Sequence, residues 1–249
     1  MTSGVTVVTG GSRGIRAATA LLLAANGDPV CITYRSQVEA AQTVVEQCMA
    51  LGVQAKAVEM DLADEQSIVN VFAQARAEFT SIAGLVNNAG ILHVQSRLVD
   101  MSAARIREVF EINVVGAMLC AREAVRHMSR SQGANGGAIV NVSSIASRIG
   151  SANEYIDYAA SKGALDSFTV GLAKEVANEG IRVNAVRPGL IYTDIHASGG
   201  EPGRVDRLGP SLPMGRGGTP QEVADGIVFL LGENASYITG TFLDVSGGR

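Results

Sequence analysis

Val5-Thr6-Val7-Val8-Thr9-Gly10-Gly11-Ser12-Arg13-Gly14-Ile15-Arg16 decides the reading of this chain. A β-branched run stops at a glycine-rich turn, which passes directly into the helix-forming stretch Ala17 to Ala25. Such a turn lets backbone N–H groups approach a pyrophosphate, and the positive end of the helix dipole stabilises its charge. Gly10, Ser12, Arg13, Gly14 and Ile15 are therefore candidate phosphate-binding residues. A plain tight turn is the alternative, and the pattern of the remaining chain decides between them.

Outward from this turn, short Val/Ile-rich runs alternate with longer Ala-rich helical patterns. The strands are expected at Val5–Thr9, Val30–Tyr34, Gln54–Glu59, Gly84–Asn87, Ala138–Ser143, Ile181–Arg187 and Phe242–Val245. Helices are expected near Gly14–Asn26, Val38–Leu51, Gln66–Phe79, Ser102–Ser131, Tyr155–Asn178 and Gln221–Leu230. Regular alternation means βαβ units and a doubly wound α/β fold, a parallel sheet with helices on both faces. No linker divides the pattern, so residues 1–249 are expected to form one domain. Thr193–Gly218 interrupts the alternation without clear periodicity, and a polar insertion of this length is read as a substrate lid.

Composition excludes other classes. Across 249 residues, 20 Lys and Arg stand against 24 Asp and Glu, a net charge of −4 that offers no footprint for nucleic acid or an anionic membrane. Cys31, Cys48 and Cys120 are odd in number and far apart, as expected of buried free thiols in a reducing compartment. No apolar run is long enough to span a membrane. Met1-Thr2-Ser3-Gly4 carries no basic region of a secretory leader, and a cytoplasmic protein is expected. His93, His127 and His196 lack metal-binding spacing, so no metal site is expected.

The end of the second strand, Thr33-Tyr34-Arg35-Ser36, has no acid where an NAD enzyme places one on the ribose hydroxyls. Arg35, with Arg13 in the turn, suits the additional phosphate of NADP(H), because guanidinium pairs with phosphate bidentately. NADP(H) is therefore favoured over NAD(H). Asp61-Leu62 and Asn87-Asn88-Ala89-Gly90 follow the third and fourth strands, at the sheet edge where such folds bind ligands. Asp61, Leu62, Asn87, Ala89 and Gly90 are candidate cofactor contacts, and Asn87 serves equally well as an amide bridge between strands.

Tyr158-Ala-Ala-Ser-Lys162 places phenol and ammonium on one helix face, one turn apart. A nearby cation favours phenolate and lowers the tyrosine pKa, which makes the pair a tunable acid/base. The strand Ile139-Val140-Asn141-Val142-Ser143-Ser144 leads toward that helix and ends in hydroxyls that can bond a substrate oxygen as charge develops.

Thr9-Gly10…Gly14, Asn87-Asn88-Ala89-Gly90, Asn113, Ser144, Tyr158…Lys162 and Pro188-Gly189 appear in an order that resembles the classical short-chain dehydrogenases/reductases across essentially the whole chain. Bacterial relatives of this kind are often labelled glucose 1-dehydrogenase-like, a substrate that motif residues do not encode. The resemblance implies a Rossmann sheet of order 3-2-1-4-5-6-7 and hydride transfer between a nicotinamide and an alcohol or carbonyl substrate. It makes Tyr158 the general acid/base, Ser144 rather than Ser143 the orienter of the reacting oxygen, and Lys162 a ribose ligand. Asn113 would hold a relay water beside Lys162. Pro188, Gly189, Ile191 and Thr193 would line the nicotinamide, with Thr193 fixing its carboxamide. A homotetramer is the family's usual assembly, and the small residues Ala160, Ala164, Ser167 and Gly171 suit close packing of the Tyr158 helix against another helix.

The sequence departs from the family at Arg16, where a third glycine is expected for close helix–strand packing. A side chain there should turn to solvent or push the turn open. It either weakens cofactor binding or helps neutralise the pyrophosphate. Arg16 also supports the alternative function, a catalytically weak dinucleotide-binding or redox-sensing oligomer.

Overall fold

The computed structural model describes residues 4–249; residues 1–3, which carry most of the expectation of a missing secretory leader, lie outside the described residues. Seven parallel strands form one sheet in the order β3-β2-β1-β4-β5-β6-β7, the order the resemblance implies. The strands are β1 (Val5–Val8), β2 (Val30–Tyr34), β3 (Ala55–Glu59), β4 (Ile82–Asn87), β5 (Gly137–Val142), β6 (Ile181–Pro188) and β7 (Phe242–Val245). Along β1 all four side chains are buried, which explains why the inner strands read as unbroken apolar runs rather than alternating ones.

Crossovers between strands are helical. They comprise α1 (Gly14–Ala25), α2 (Val38–Ala50), α3 (Glu65–Glu78), α4 (Ala103–Phe110), α5 (Gly116–Met128), α6 (Ala146–Ile149), α7 (Ile156–Val176), α8 (Ile195–Ser198), α9 (Arg204–Leu208) and α10 (Pro220–Leu231). Two cores flank the sheet. One packs Ile68, Phe72, Cys120, Met128 and Val176 from α3, α5 and α7, and the other packs Leu23, Val44, Val223 and Ile227 from α1, α2 and α10. All three cysteines are buried and free, and burial pushes the thiols up to about 12, 11 and 12 for Cys31, Cys48 and Cys120. No helix among the described residues is long and apolar enough to cross a membrane.

Two expectations change in detail. The helix expected over 102–131 is two helices joined by a π turn, Glu111–Val115, with Asn113 at its centre. An inserted wide turn leaves the apolar periodicity on either side nearly intact, so pattern alone does not reveal it. Thr193–Gly218 is not structureless, for it contains α8, α9 and a short 3-10 turn. Its ends are tied together by Tyr192 N–H to Gly218 C=O at 3.0 Å and Gly218 N–H to Leu190 C=O at 2.8 Å. The segment is thus a closed excursion from the sheet rim, of the kind that carries binding residues.

Candidate active site

The carboxyl ends of β1, β4, β5 and β6 surround a cleft of about 470 Å³. Its phosphate end is built by the turn after β1. Gly10 adopts φ +72°, which glycine tolerates, and a Cβ on Gly11 would lie 2.3 Å from that of Ile32, so β2 passes too close for any side chain. The Thr33 side chain accepts from Gly10 N–H at 2.9 Å, and Thr33 C=O from Gly11 N–H at 2.8 Å, which pins the turn to β2. At the N-cap of α1 stands Arg13, whose side chain makes no capping bond, and no acid lies in the first turn. The leading N–H groups are therefore unclaimed by side chains and present the positive end of the helix to the cleft.

Thr9 braces the loop beside this turn, its hydroxyl accepting from Asn88 N–H and Ala89 N–H, both at 3.0 Å. Asn87 turns out to be the strand bridge: its amide nitrogen donates to Asn141 Oδ1 and to Ala117 C=O, each at 3.0 Å. Leu62 lies in the core with its backbone and side chain against Gly116. Arg35 and Asp61 pair across 3.5 Å with both side chains substantially exposed, and Arg13 pairs with Asp194 of the 193–218 segment at the same distance. Such loose surface pairs hold a guanidinium with about 0–1 kcal/mol, so an arriving phosphate competes with the carboxylates easily.

At the chemical end, α7 carries Tyr158 and Lys162 into the cleft from one side, and β5 delivers Ser144 from the other. The Ser144 hydroxyl accepts from Ala146 N–H at 3.1 Å and stands near enough to the Tyr158 phenol to pull its pKa down. Ser143, which also borders the cleft, uses its hydroxyl on the scaffold, donating to Lys162 C=O at 3.3 Å. Lys162 Nζ lies 5.5 Å from the Tyr158 ring centre and donates to Val142 C=O at 2.8 Å. The π turn directs Asn113 to the same place: its Oδ1 accepts from Ile91 N–H at 2.8 Å, and its Nδ2 donates to Ile91 C=O at 3.0 Å and Ser161 Oγ at 3.2 Å. A Cβ on Gly90 would come within 3.0 Å of Asn113 Oδ1 and 3.8 Å of Lys162 Nζ, which shows how closely these groups gather.

Electrostatics at this end differ from the sequence expectation. Burial pushes the Tyr158 phenol above its ordinary value, outweighing the opposite pulls of Ser144 and of the Arg16 charge. Burial, reinforced by Arg16, also brings the Lys162 amine down to about 8, with Asp166 pulling weakly the other way. The cation that favours phenolate here is Arg16, from the phosphate end, rather than Lys162.

Of the residues expected at the site, Arg13, Gly14, Ile15, Gly90, Ser144, Tyr158, Lys162, Pro188, Gly189, Ile191 and Thr193 line the cleft itself. Thr193 presses its methyl within 3.1 Å of where a Gly14 Cβ would lie, so the 193–218 segment begins against the first turn. Gly10, Ser12, Arg35, Asp61, Ala89 and Asn113 are not part of its lining.

His93 and Arg204 line the cleft without having been singled out for it, whereas Tyr155 and His196 lie in segments whose sequence suggests that they shape the pocket. His93 Nε2 sits 3.2 Å from Glu108 on the cleft wall, and His196 Nε2 bonds Ile191 C=O at 3.0 Å. Arg204 of the 193–218 segment, 5% exposed, is held by Glu154 at 2.5 Å and Glu201 at 2.9 Å, while the Tyr155 hydroxyl donates to Gly199 C=O at 3.1 Å. This cluster fastens the segment to the loop preceding α7. Glu201 and Arg204 are three residues apart, but the tie to Glu154 spans 50 residues and has no local signal. Among the described residues no group of three His, Cys, Asp or Glu side chains is arranged to hold a metal.

A nicotinamide dinucleotide fits this donor set: open N–H groups at the helix end suit a pyrophosphate, and the cleft runs from them to the phenol. One side chain does not fit. Arg16 neither turns to solvent nor opens the turn. It folds back into the cleft, with Nη1 donating to Gly10 C=O at 3.4 Å.

A family described as "Enoyl-(Acyl carrier protein) reductase" matches residues 10–249. The chain is 53% identical over 245 residues to the uncharacterized oxidoreductase YgfF of Escherichia coli (strain K12), covering 98% of this chain and 99% of that protein. It is 42% identical to cis-4-hydroxycyclohexanecarboxylate dehydrogenase of Sinomonas cyclohexanicum, covering 98% and 95%. Among solved structures, a short-chain dehydrogenase from Burkholderia cenocepacia J2315 in complex with NADP superposes with a TM-score of 0.91 at 35% identity, covering 99% of this chain and 97% of that one. Sheet order, cleft and relatives agree, and the chain belongs to the short-chain dehydrogenase/reductase family as an NAD(P)-dependent oxidoreductase.

Proposed function

We propose that this protein is an NADP(H)-preferring oxidoreductase that interconverts a secondary alcohol and its carbonyl compound, with Tyr158 as general acid/base. The observation that carries the reading is the convergence of the Tyr158 phenol, the Ser144 hydroxyl and the Lys162 amine on one cleft that ends at the uncapped start of α1. When bound, the nicotinamide supplies or accepts the hydride. Everything else falls to this chain. Ser144 donates a hydrogen bond to the substrate oxygen as negative charge builds on it, and Tyr158 passes its proton to that oxygen. Burial pushes the phenol above its ordinary value, so in the free protein Tyr158 carries the proton that reduction would draw on. Lys162 holds the ribose and, with Asn113 beside it, returns a proton to Tyr158.

Arg35 and Arg13 would bind the additional phosphate of NADP, since neither is engaged more than loosely. The relative in complex with NADP supports this preference over NAD. Residues 1–249 would form one domain, with 193–218 as the substrate lid. The open stripe on α7, where nothing lies within 4 Å of an added Cβ at Gly163 or Gly171, suits packing in a homotetramer. A cytoplasmic location and the absence of nucleic-acid partners follow from charge and cysteine usage.

The test is NADPH oxidation over a panel of sugars, keto-esters, quinones and the ketone matching cis-4-hydroxycyclohexanecarboxylate, the last chosen after the name of a relative. Tyr158→Phe should lower turnover of any substrate found by about a hundred- to ten-thousandfold while NADPH binding is retained. Turnover preserved in that variant excludes the assignment. The position of Arg16 favours a second reading, a catalytically weak dinucleotide-binding or redox-sensing oligomer. Activity anywhere on the panel ends it.

A further inference from the structure

We infer that Arg16 is a built-in occupant of the dinucleotide cleft: its side chain fills the notch between the first turn and the Ala89 loop, and a nucleotide binds only by displacing it. This rests on the reading of the cleft as a dinucleotide site. The notch is defined by contacts. A Cβ placed on Gly10 would meet Arg16 Nη1 at 3.0 Å, Ala89 Cβ at 3.1 Å and Arg16 Cδ at 3.2 Å, so the arginine lies flat over the turn that a pyrophosphate must cross. Arg16 lines the same cleft as Tyr158 and Lys162, and its charge lowers the pKa of both.

The same geometry decides between bulk and charge. An arginine that served as a phosphate ligand would stand beside the open N–H groups of α1. Arg16 instead donates to the Gly10 carbonyl, on the floor of the notch. It forms no ion pair among the described residues, and Asp194 pairs with Arg13 instead. It is held by one long hydrogen bond and opposed by burial and by the Arg13 charge, so it is a displaceable plug rather than a fixed wall. A site open in only a fraction of molecules has its affinity lowered by that fraction.

Calorimetric titration of the full chain with NADPH and with NADH tests this, using wild type, Arg16→Gly and Arg16→Met, with thermal unfolding as a check that each variant is folded. Arg16→Gly should bind NADPH about tenfold or more tightly than wild type, as expected if a tenth or less of the molecules are open. Arg16→Met keeps the bulk without the charge and should stay near wild type, within about threefold on the same scale. Wild type binding as tightly as Arg16→Gly overturns the proposal. So does Arg16→Met rising to the affinity of Arg16→Gly, which would assign the effect to charge. If no protein, Arg16→Gly included, binds either nucleotide, the dinucleotide reading fails and takes the proposal with it.

Discussion

The two ends of the cleft were written into the chain with different fidelity. At the chemical end, Ser144, Tyr158, Lys162 and Asn113 come from a strand end, a long helix and a π turn, and all meet within one small volume. Rigid elements fix these side chains, and backbone partners at Ile91 and Val142 hold the direction of Asn113 and Lys162. The phosphate end keeps the backbone of a nucleotide site, with its pinned turn and open helix start, yet one arginine lies across it. Backbone geometry and side-chain occupancy are thus separable properties. A site can retain the first and be altered in the second by a single residue.

That contrast can be sharpened by variants at each end. After Tyr158→Phe, the largest effect is expected from Ser144→Ala, which removes the donor facing the developing oxyanion and should lower kcat about a hundred- to a thousandfold with NADPH affinity unchanged. Steady-state kinetics beside a binding titration separate the two quantities. If Ser143→Ala produces the same loss, the assignment of the Ser143 hydroxyl to the scaffold is mistaken.

Arg35→Ala probes the adenosine end. Losing one charged contact to the additional phosphate should lower the preference for NADPH over NADH by about ten- to a hundredfold, read as the ratio of kcat/KM values. An unchanged ratio would show that the pair with Asp61 keeps Arg35 from the nucleotide.

The smallest effect is in pH dependence. Lys162 in the free protein titrates at about 8 instead of 10.5, so its ammonium is present below that pH and lost above it. Nucleotide affinity should therefore fall as pH rises through about 8 and be flat below. Arg16 lowers the pKa of both Tyr158 and Lys162: a neighbouring cation stabilises phenolate and destabilises ammonium. Removing it in Arg16→Gly should move both titrations to higher pH. A profile that does not move places the guanidinium away from the chemical end.

Much of this molecule is legible in its sequence. Val30–Tyr34 and Phe242–Val245 are found at the bounds their β-branched composition suggests, and the other strands differ by a residue or two at their ends. The parallel sheet follows from alternation, because each strand must be followed by a helix long enough to cross over. The spacing of Tyr158 and Lys162 likewise survives directly into geometry, since one helix turn brings them to one face. What sequence could not carry is direction and distance across the chain. The π turn at Asn113 changes hydrogen bonding without disturbing the apolar pattern around it. Asn87 offered two roles from the same residue, and only the position of Asn141 on β5 selects the bridge. Arg204 finds Glu154 because the 193–218 segment folds back on the loop before α7, a contact without local signature. Arg16 was legible as a departure, but its fold back over Gly10 depends on the room left by Ala89.

The central claim is that hydride and proton transfer take place in the cleft between the α1 turn and Tyr158. A crystal structure of the chain grown with NADPH tests it most directly. The account predicts the pyrophosphate at the start of α1, the nicotinamide beside Tyr158 and Thr193, and the Arg16 side chain moved off the Gly10 carbonyl. A nucleotide bound elsewhere, or a nicotinamide remote from the Tyr158 phenol, would contradict it.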